Sequence, residues 1–294
     1  MKKKLNEKII KLFEDFNHKS NPEIIKKICN SIRKDIINNG DRIFSKNYNI
    51  DDLNIDLFVD FTFNKKQPYY SNVNIYDIIN GVEPVQLKII VVDESIDFDY
   101  LMSIISHEIR HIWDVYTVSS DYEIEDFKKS ITITKFKRSG KMSKFINLVY
   151  LSLEHELIAR HNMIYEMFRW KNITDKSKLM DLFEKSYINQ ALQYLKNFSY
   201  IDILDEPELL NFTIEFSKNI GDNFDGDLEK YYKNWELFFK QKSDLFLSYV
   251  DDMIDDVISD IKNNKVYERN NIGFISYNES IGSSYLKKIF NKSV

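Results

Sequence analysis

Apolar residues recur at helical spacing through residues 22–38, where Ile24, Ile28, Ile32 and Ile36 share a face. A similar stripe, Leu5, Ile9, Leu12 and Phe13, predicts a helix over residues 2–16. Asn39-Gly40 closes the 22–38 segment with a pair that helix C-termini favour. The period then falls to two. Residues 53–63 (LNIDLFVDFTF) alternate apolar and polar positions, which predicts a strand with one buried face. A second strand is predicted near 71–77, and a third over Val85 to Val92, a β-branched run following Pro84.

Beyond Asp93 the pattern is helical almost to the end. Asp97 or Asp99 is placed to cap a helix reaching about Tyr116, and residues 118–142 are polar and irregular. Further helices are predicted over 144–171, 175–196, 206–219 and 227–262. The last bears an aromatic stripe that includes Tyr231, Tyr232, Trp235, Phe238, Phe239 and Phe246, either on one continuous helix or on two halves broken near Ser243. Helices, a small sheet, then many helices make an α+β chain, divided here into residues 1–171 and a helical region, 172–294, that packs on the first or on a partner.

Composition narrows the classes. With 294 residues and 43% apolar content, the chain can bury one large core or two small ones. A charged fraction of 30% at net −5 excludes a disordered tail and carries no basic signal for nucleic acid. The single cysteine, Cys29, excludes a disulfide framework and a cysteine-built zinc site. No apolar run approaches the ~18 residues that span a bilayer, and the charged start reads as an amphipathic helix and not a signal peptide. A soluble protein that stays where it is made is expected. The 40 Ile, 34 Lys and 28 Asn against 2 Ala follow AT-rich codons, so the cytoplasm of a bacterium or phage-infected cell, or a virion, fits.

Histidine is scarce and clustered. Of five, His107, His111, His155 and His161 fall in two short segments. Ser106-His107-Glu108-Ile109-Arg110-His111 contains His-Glu-X-X-His, whose i, i+4 histidines share a helix face and can reach one metal ion. Glu108 stands beside them as a carboxylate able to take a proton from water. Leu101, Ile104, Ile105, Ile112 and Trp113 make the rest of that helix core-like.

A catalytic zinc site usually has three protein ligands. Position 117 is Thr, so no third histidine follows six residues on, and the ligand must come from a later helix. The suited segment is Glu154-His155-Glu156-Leu157-Ile158-Ala159-Arg160-His161. At 100° per residue Glu156 and Arg160 fall on the apolar arc of Leu153, Leu157, Ile164, Met167 and Phe168, whereas Glu154 and His155 point away from its centre. Glu156 is therefore the preferred third ligand, with Glu154 and His155 as alternatives. Asp114, on the face of His107, is placed either to orient a ligand imidazole or simply to end the helix in water.

His107-Glu108-X-X-His111 followed by Glu156-X-X-Ala159 resembles the zincin metallopeptidases of glutamate-liganded, gluzincin type, in the short variant of small bacterial and phage-encoded proteins. The resemblance covers roughly residues 53–171. It implies a twisted sheet against the motif helix, Zn2+ held by His107, His111 and Glu156, and Glu108 as general base. The function implied is hydrolysis of a peptide or protein substrate. The other reading is a zincin-fold assembly protein of a phage virion, homo-oligomeric or bound to other virion proteins.

Two further signals read as ordinary surface. Seven basic residues between Lys128 and Lys144 form a solvated loop or a flap joining the two metal-bearing helices. Gly221 to Asp227 has the look of a calcium loop but fails at its first and last ligand positions, and reads as a turn and cap.

Overall fold

Helix α1 (Glu23–Asn38) buries Ile28, Ile32 and Ile36 of the predicted stripe together with Ile25 and Cys29, while Ile24 is half-buried. The computed structural model describes residues 23–39, 41–50, 53–61, 70–73, 82–91, 98–117, 129, 131–133, 136 and 140–263; the helix predicted over 2–16 lies outside them. Helix α1 packs on the motif helix α2 (Phe98–Thr117) and against the first strand.

Four strands form one mixed sheet: β1 (Ile43–Ile50), β2 (Leu53–Asp60), β3 (Tyr70–Val73) and β4 (Val85–Ile90), in the order β1-β2-β4-β3. The β1/β2 and β3/β4 pairs are antiparallel, and β2/β4 is parallel. Register stacks Phe44, Val59 and Ile89 in one row and Tyr48, Ile55 and Val85 in another, all buried. The opposite face is wet. There the Asn47 and Gln86 amides donate to the two Asp56 oxygens at 2.8 and 3.0 Å, and Lys88 lies over the Phe58 ring. Period-two alternation thus makes one apolar and one polar face, as predicted for β2; β4, predicted as a β-branched run, alternates only as far as Ile89. Strand β1 was not predicted, because among its described side chains only Phe44 and Tyr48 are buried.

Helix α2 is buried from Leu101 to Ile112 with one interruption, Glu108. Asp99 does not cap it. It lies inside the first turn and accepts Arg33 Nη1 at 2.8 Å; Asp97 is outside the described residues.

The helix predicted over 144–171 is two helices, α3 (Gly140–Leu151) and α4 (Glu154–Lys171). At the break the Ser152 hydroxyl donates to the Val149 carbonyl at 2.7 Å, and the Leu153 N–H to the Tyr150 carbonyl at 3.2 Å. A serine back-bonding to its own preceding turn competes with the i−4 ladder. The Leu153 carbonyl then receives the Leu157 N–H at 3.0 Å and starts α4. The segment 175–196 divides likewise into α5 (Lys176–Glu184), capped by Asp175, and α6 (Tyr187–Lys196), capped by Ser186.

A 3-10 turn (Tyr200–Ile203) leads to α7 (Leu209–Ile220), which ends on left-handed Gly221. Asp227 then caps α8 (Leu228–Lys262) by accepting the Lys230 N–H at 3.0 Å, so Gly221–Asp227 is a turn and cap. Helix α8 runs unbroken past Ser243, whose hydroxyl bonds the Leu192 carbonyl at 2.9 Å.

The chain divides into two compact units: Met1–Thr117 with His161–Asn172 and Ser259–Val294, and Val118–Arg160 with Ile173–Ile258. The first centres on the sheet, α1 and α2. The second has an aromatic core in which Phe145 meets Phe198, Phe216, Tyr232, Trp235 and Phe239 at centroid distances of 5.1–6.0 Å. Tyr232, Trp235 and Phe239 of the α8 stripe contribute to it. No helix among the described residues is long and apolar enough to cross a membrane.

Candidate metal centre

His107 and His111 occupy successive turns of α2, and their side chains are buried to 9% and 5% exposure. The rings stand edge to face, with Nε2 atoms 3.1 Å apart. Two imidazoles on one tetrahedral ion, each ~2.0–2.1 Å from it, place their nitrogens ~3.3 Å apart. The observed spacing is therefore near what a shared ion requires.

Glu156 completes a cluster with these histidines, with one ligand atom from each residue and all three within 4.8 Å of one another. The break at Ser152-Leu153 matters to its electrostatics. It places Glu156 in the first turn of α4 and not in mid-helix, where exposed N–H groups and the helix dipole favour a carboxylate. Arg160, one turn on, presents Nη2 to Glu156 Oε2 at 3.4 Å. Glu156 itself is 1% exposed, and a carboxylate so buried needs such compensation.

One buried link sets α4 against α2. The Asn162 amide donates to the Ser106 hydroxyl at 2.5 Å and to the Ser106 carbonyl at 3.2 Å, immediately before His107. Cys29 of α1 also lies near Ser106, so three helices come together around this serine. Burial pushes the Cys29 thiol well above its ordinary range, followed by the effect of Glu166, and it stays protonated.

The remaining candidates take other places. Glu154 is partly exposed at the start of α4 and is not in the cluster. His155 is buried, contrary to its predicted direction, because α4 is enclosed on nearly all sides and helical phase discriminates less than on a surface helix. It too is outside the cluster. His161 is a core histidine. Burial first, and the Arg110 charge second, push its pKa down to about 3, so the ring is neutral. Asp114 accepts Arg110 Nε with both oxygens at 2.8 Å. Farther along α4, Glu166 and Arg169 form a fully buried ion pair that also engages Asn30.

The residue pattern points to the three members of the cluster and to the pairing of Arg160 with Glu156, but not to Arg110 or Asn162. Arg110, 1% exposed, had a signal, since a charge in so apolar a helix needs a partner and Asp114 lies four residues on. Asn162 had none, because its partner is 56 positions away.

Two imidazole nitrogens and a carboxylate oxygen suit a divalent first-row ion better than calcium or magnesium, which prefer oxygen throughout. They are compatible with a metal ion without singling out zinc. Glu108 is the one residue of Leu101–Ile112 that is not buried. Comparison with protein-family models, with curated proteins and with solved structures finds no match to this chain.

Proposed function

We propose that the chain is a zinc-dependent peptidase of the zincin type, with the glutamate-liganded centre His107, His111 and Glu156. The observation that supports this reading is the pairing of a buried three-residue donor set with Glu108, a partly exposed carboxylate next to one of its histidines. A sheet with one face buried, and the motif helix packed against β3, agrees with it.

Zinc, when bound, supplies a Lewis acid that polarises a carbonyl and lowers the pKa of water toward ~7. The chain's residues do the rest. His107 and His111 offer neutral nitrogens, and Glu156 brings one negative charge into the cluster. Glu108 takes the proton from the attacking water and delivers it to the leaving amine, which balances the hydrolysis of a peptide bond.

The assembly reading gains no support. Of the aromatic stripe of α8, one of the features that allowed it, Tyr232, Trp235 and Phe239 pack around Phe145 within one unit.

The test is cleavage of an unstructured protein substrate by the purified chain with zinc. Glu108→Gln is expected to reduce the rate by about 10²–10⁴-fold, the usual contribution of a general base, while zinc content is unchanged. Undiminished cleavage by that variant contradicts the assignment.

A further inference from the structure

We infer that Asn162 is a positioning residue for the metal centre, helping to fix the register of α4 on α2 at which Glu156 meets the two histidines; this rests on His107, His111 and Glu156 being a ligand set. Both ends of the link lie on continuous helices. Asn162 follows Glu156 on α4, about 9 Å farther along its axis, and Ser106 immediately precedes His107 on α2. A slip of one helix along the other therefore moves the ligand atoms and the Asn162–Ser106 contact together.

The contact has direction. Asn162 is fully buried, and its amide donates twice to one residue, to the Ser106 hydroxyl at 2.5 Å and to the Ser106 carbonyl at 3.2 Å. A carbonyl can only accept, so it fixes which way the carboxamide is turned. That turn leaves Asn162 Oδ1 buried without a hydrogen bond, so among the described residues the side chain's hydrogen bonds all run to Ser106. The buried neighbours of Asn162 on α4 include Leu157, Ala159, Met163 and Ile164, all apolar. Apolar contact is non-directional and tolerates a slip, whereas metal ligation holds its distances to about 0.2 Å. The two hydrogen bonds supply direction where the apolar packing has none.

The experiment uses the full chain, stripped of metal. Zn2+ is titrated against a chromophoric chelator, and Co2+ is added as a spectroscopic probe. Asn162→Leu keeps the bulk of the side chain and removes both donations. It is expected to bind Zn2+ about 10-fold more weakly, the low end of the loss when a group that orients ligands is removed, and to change the Co2+ visible bands. Ser106→Ala keeps the carbonyl acceptor and is expected to lose less. Thr213→Val, which breaks the buried hydroxyl pair with Tyr232, is expected to lower stability in urea and leave Zn2+ affinity unchanged, so that register is read apart from stability. In a Glu156→Ala background, Asn162→Leu is expected to cost no further affinity, because the ligand it positions is gone. Wild-type affinity with an unchanged Co2+ spectrum in Asn162→Leu overturns the inference. So does an equal loss with and without Glu156. A wild type that takes up neither ion overturns the ligand set, and this inference with it.

Discussion

Ser106 is a small residue with a large structural share. Its hydroxyl and carbonyl both receive the Asn162 amide, and Cys29 of α1 lies near it. Ser106→Ala leaves a fully buried amide N–H short of a partner, a defect that costs about 1–3 kcal/mol. Urea denaturation is expected to show that loss, and a Ser106/Asn162 double-mutant cycle to show that the two losses do not add. His161 makes a pH-dependent contribution of definite sign. Folded, its pKa is about 3; unfolded, it returns to the ordinary value near 6.5, so below that value the unfolded chain binds the extra proton. Stability therefore falls as pH drops from about 6.5 toward about 3, and His161→Gln is expected to flatten that fall in denaturation midpoints measured across the window. At this scale the site was half legible. His107 and His111 declare themselves because His-Glu-X-X-His is a local pattern, whereas Asn162 and Ser106 declare nothing until the fold joins them.

The helix break at Ser152-Leu153 shows what an element contributes that its residues do not. A continuous helix would carry Glu156 in mid-helix; a new N-terminus two residues upstream places it where the backbone favours negative charge. The sequence offered no glycine or proline there, and a serine hydroxyl turning back on its own carbonyls is invisible to periodicity. Strand β1 escaped for another reason, since an edge strand covered on one side by few apolar residues has little alternation to read. Helix α8 is the opposite case. Its stripe was legible, and the alternative of a break near Ser243 does not occur. Asp244 is exposed in the middle of it, so proline there tests continuity without disturbing the core. Asp244→Pro is expected to cost about 3 kcal/mol or more relative to Asp244→Ala in thermal or urea unfolding. A cost near zero would mean that the helix is already interrupted.

The α+β class was readable from the order of patterns, but the composition of the units was not. His161–Asn172 and the end of α8 join the sheet-bearing unit through contacts far apart in sequence, among them Lys26 to Asp260 at 2.5 Å and the Tyr165 hydroxyl to the same carboxylate. No local pattern encodes such pairings. Metal binding would act on the whole molecule through linkage, because an ion held by residues of two helices binds the folded chain and not the unfolded one. The most direct measurement is the metal content of the chain after equilibration with zinc and removal of excess, for the wild type beside His107→Ala. One zinc per wild-type chain and almost none in the variant is the result expected from the His107–His111–Glu156 centre. A wild type that retains no metal, or a variant that retains as much, would contradict it.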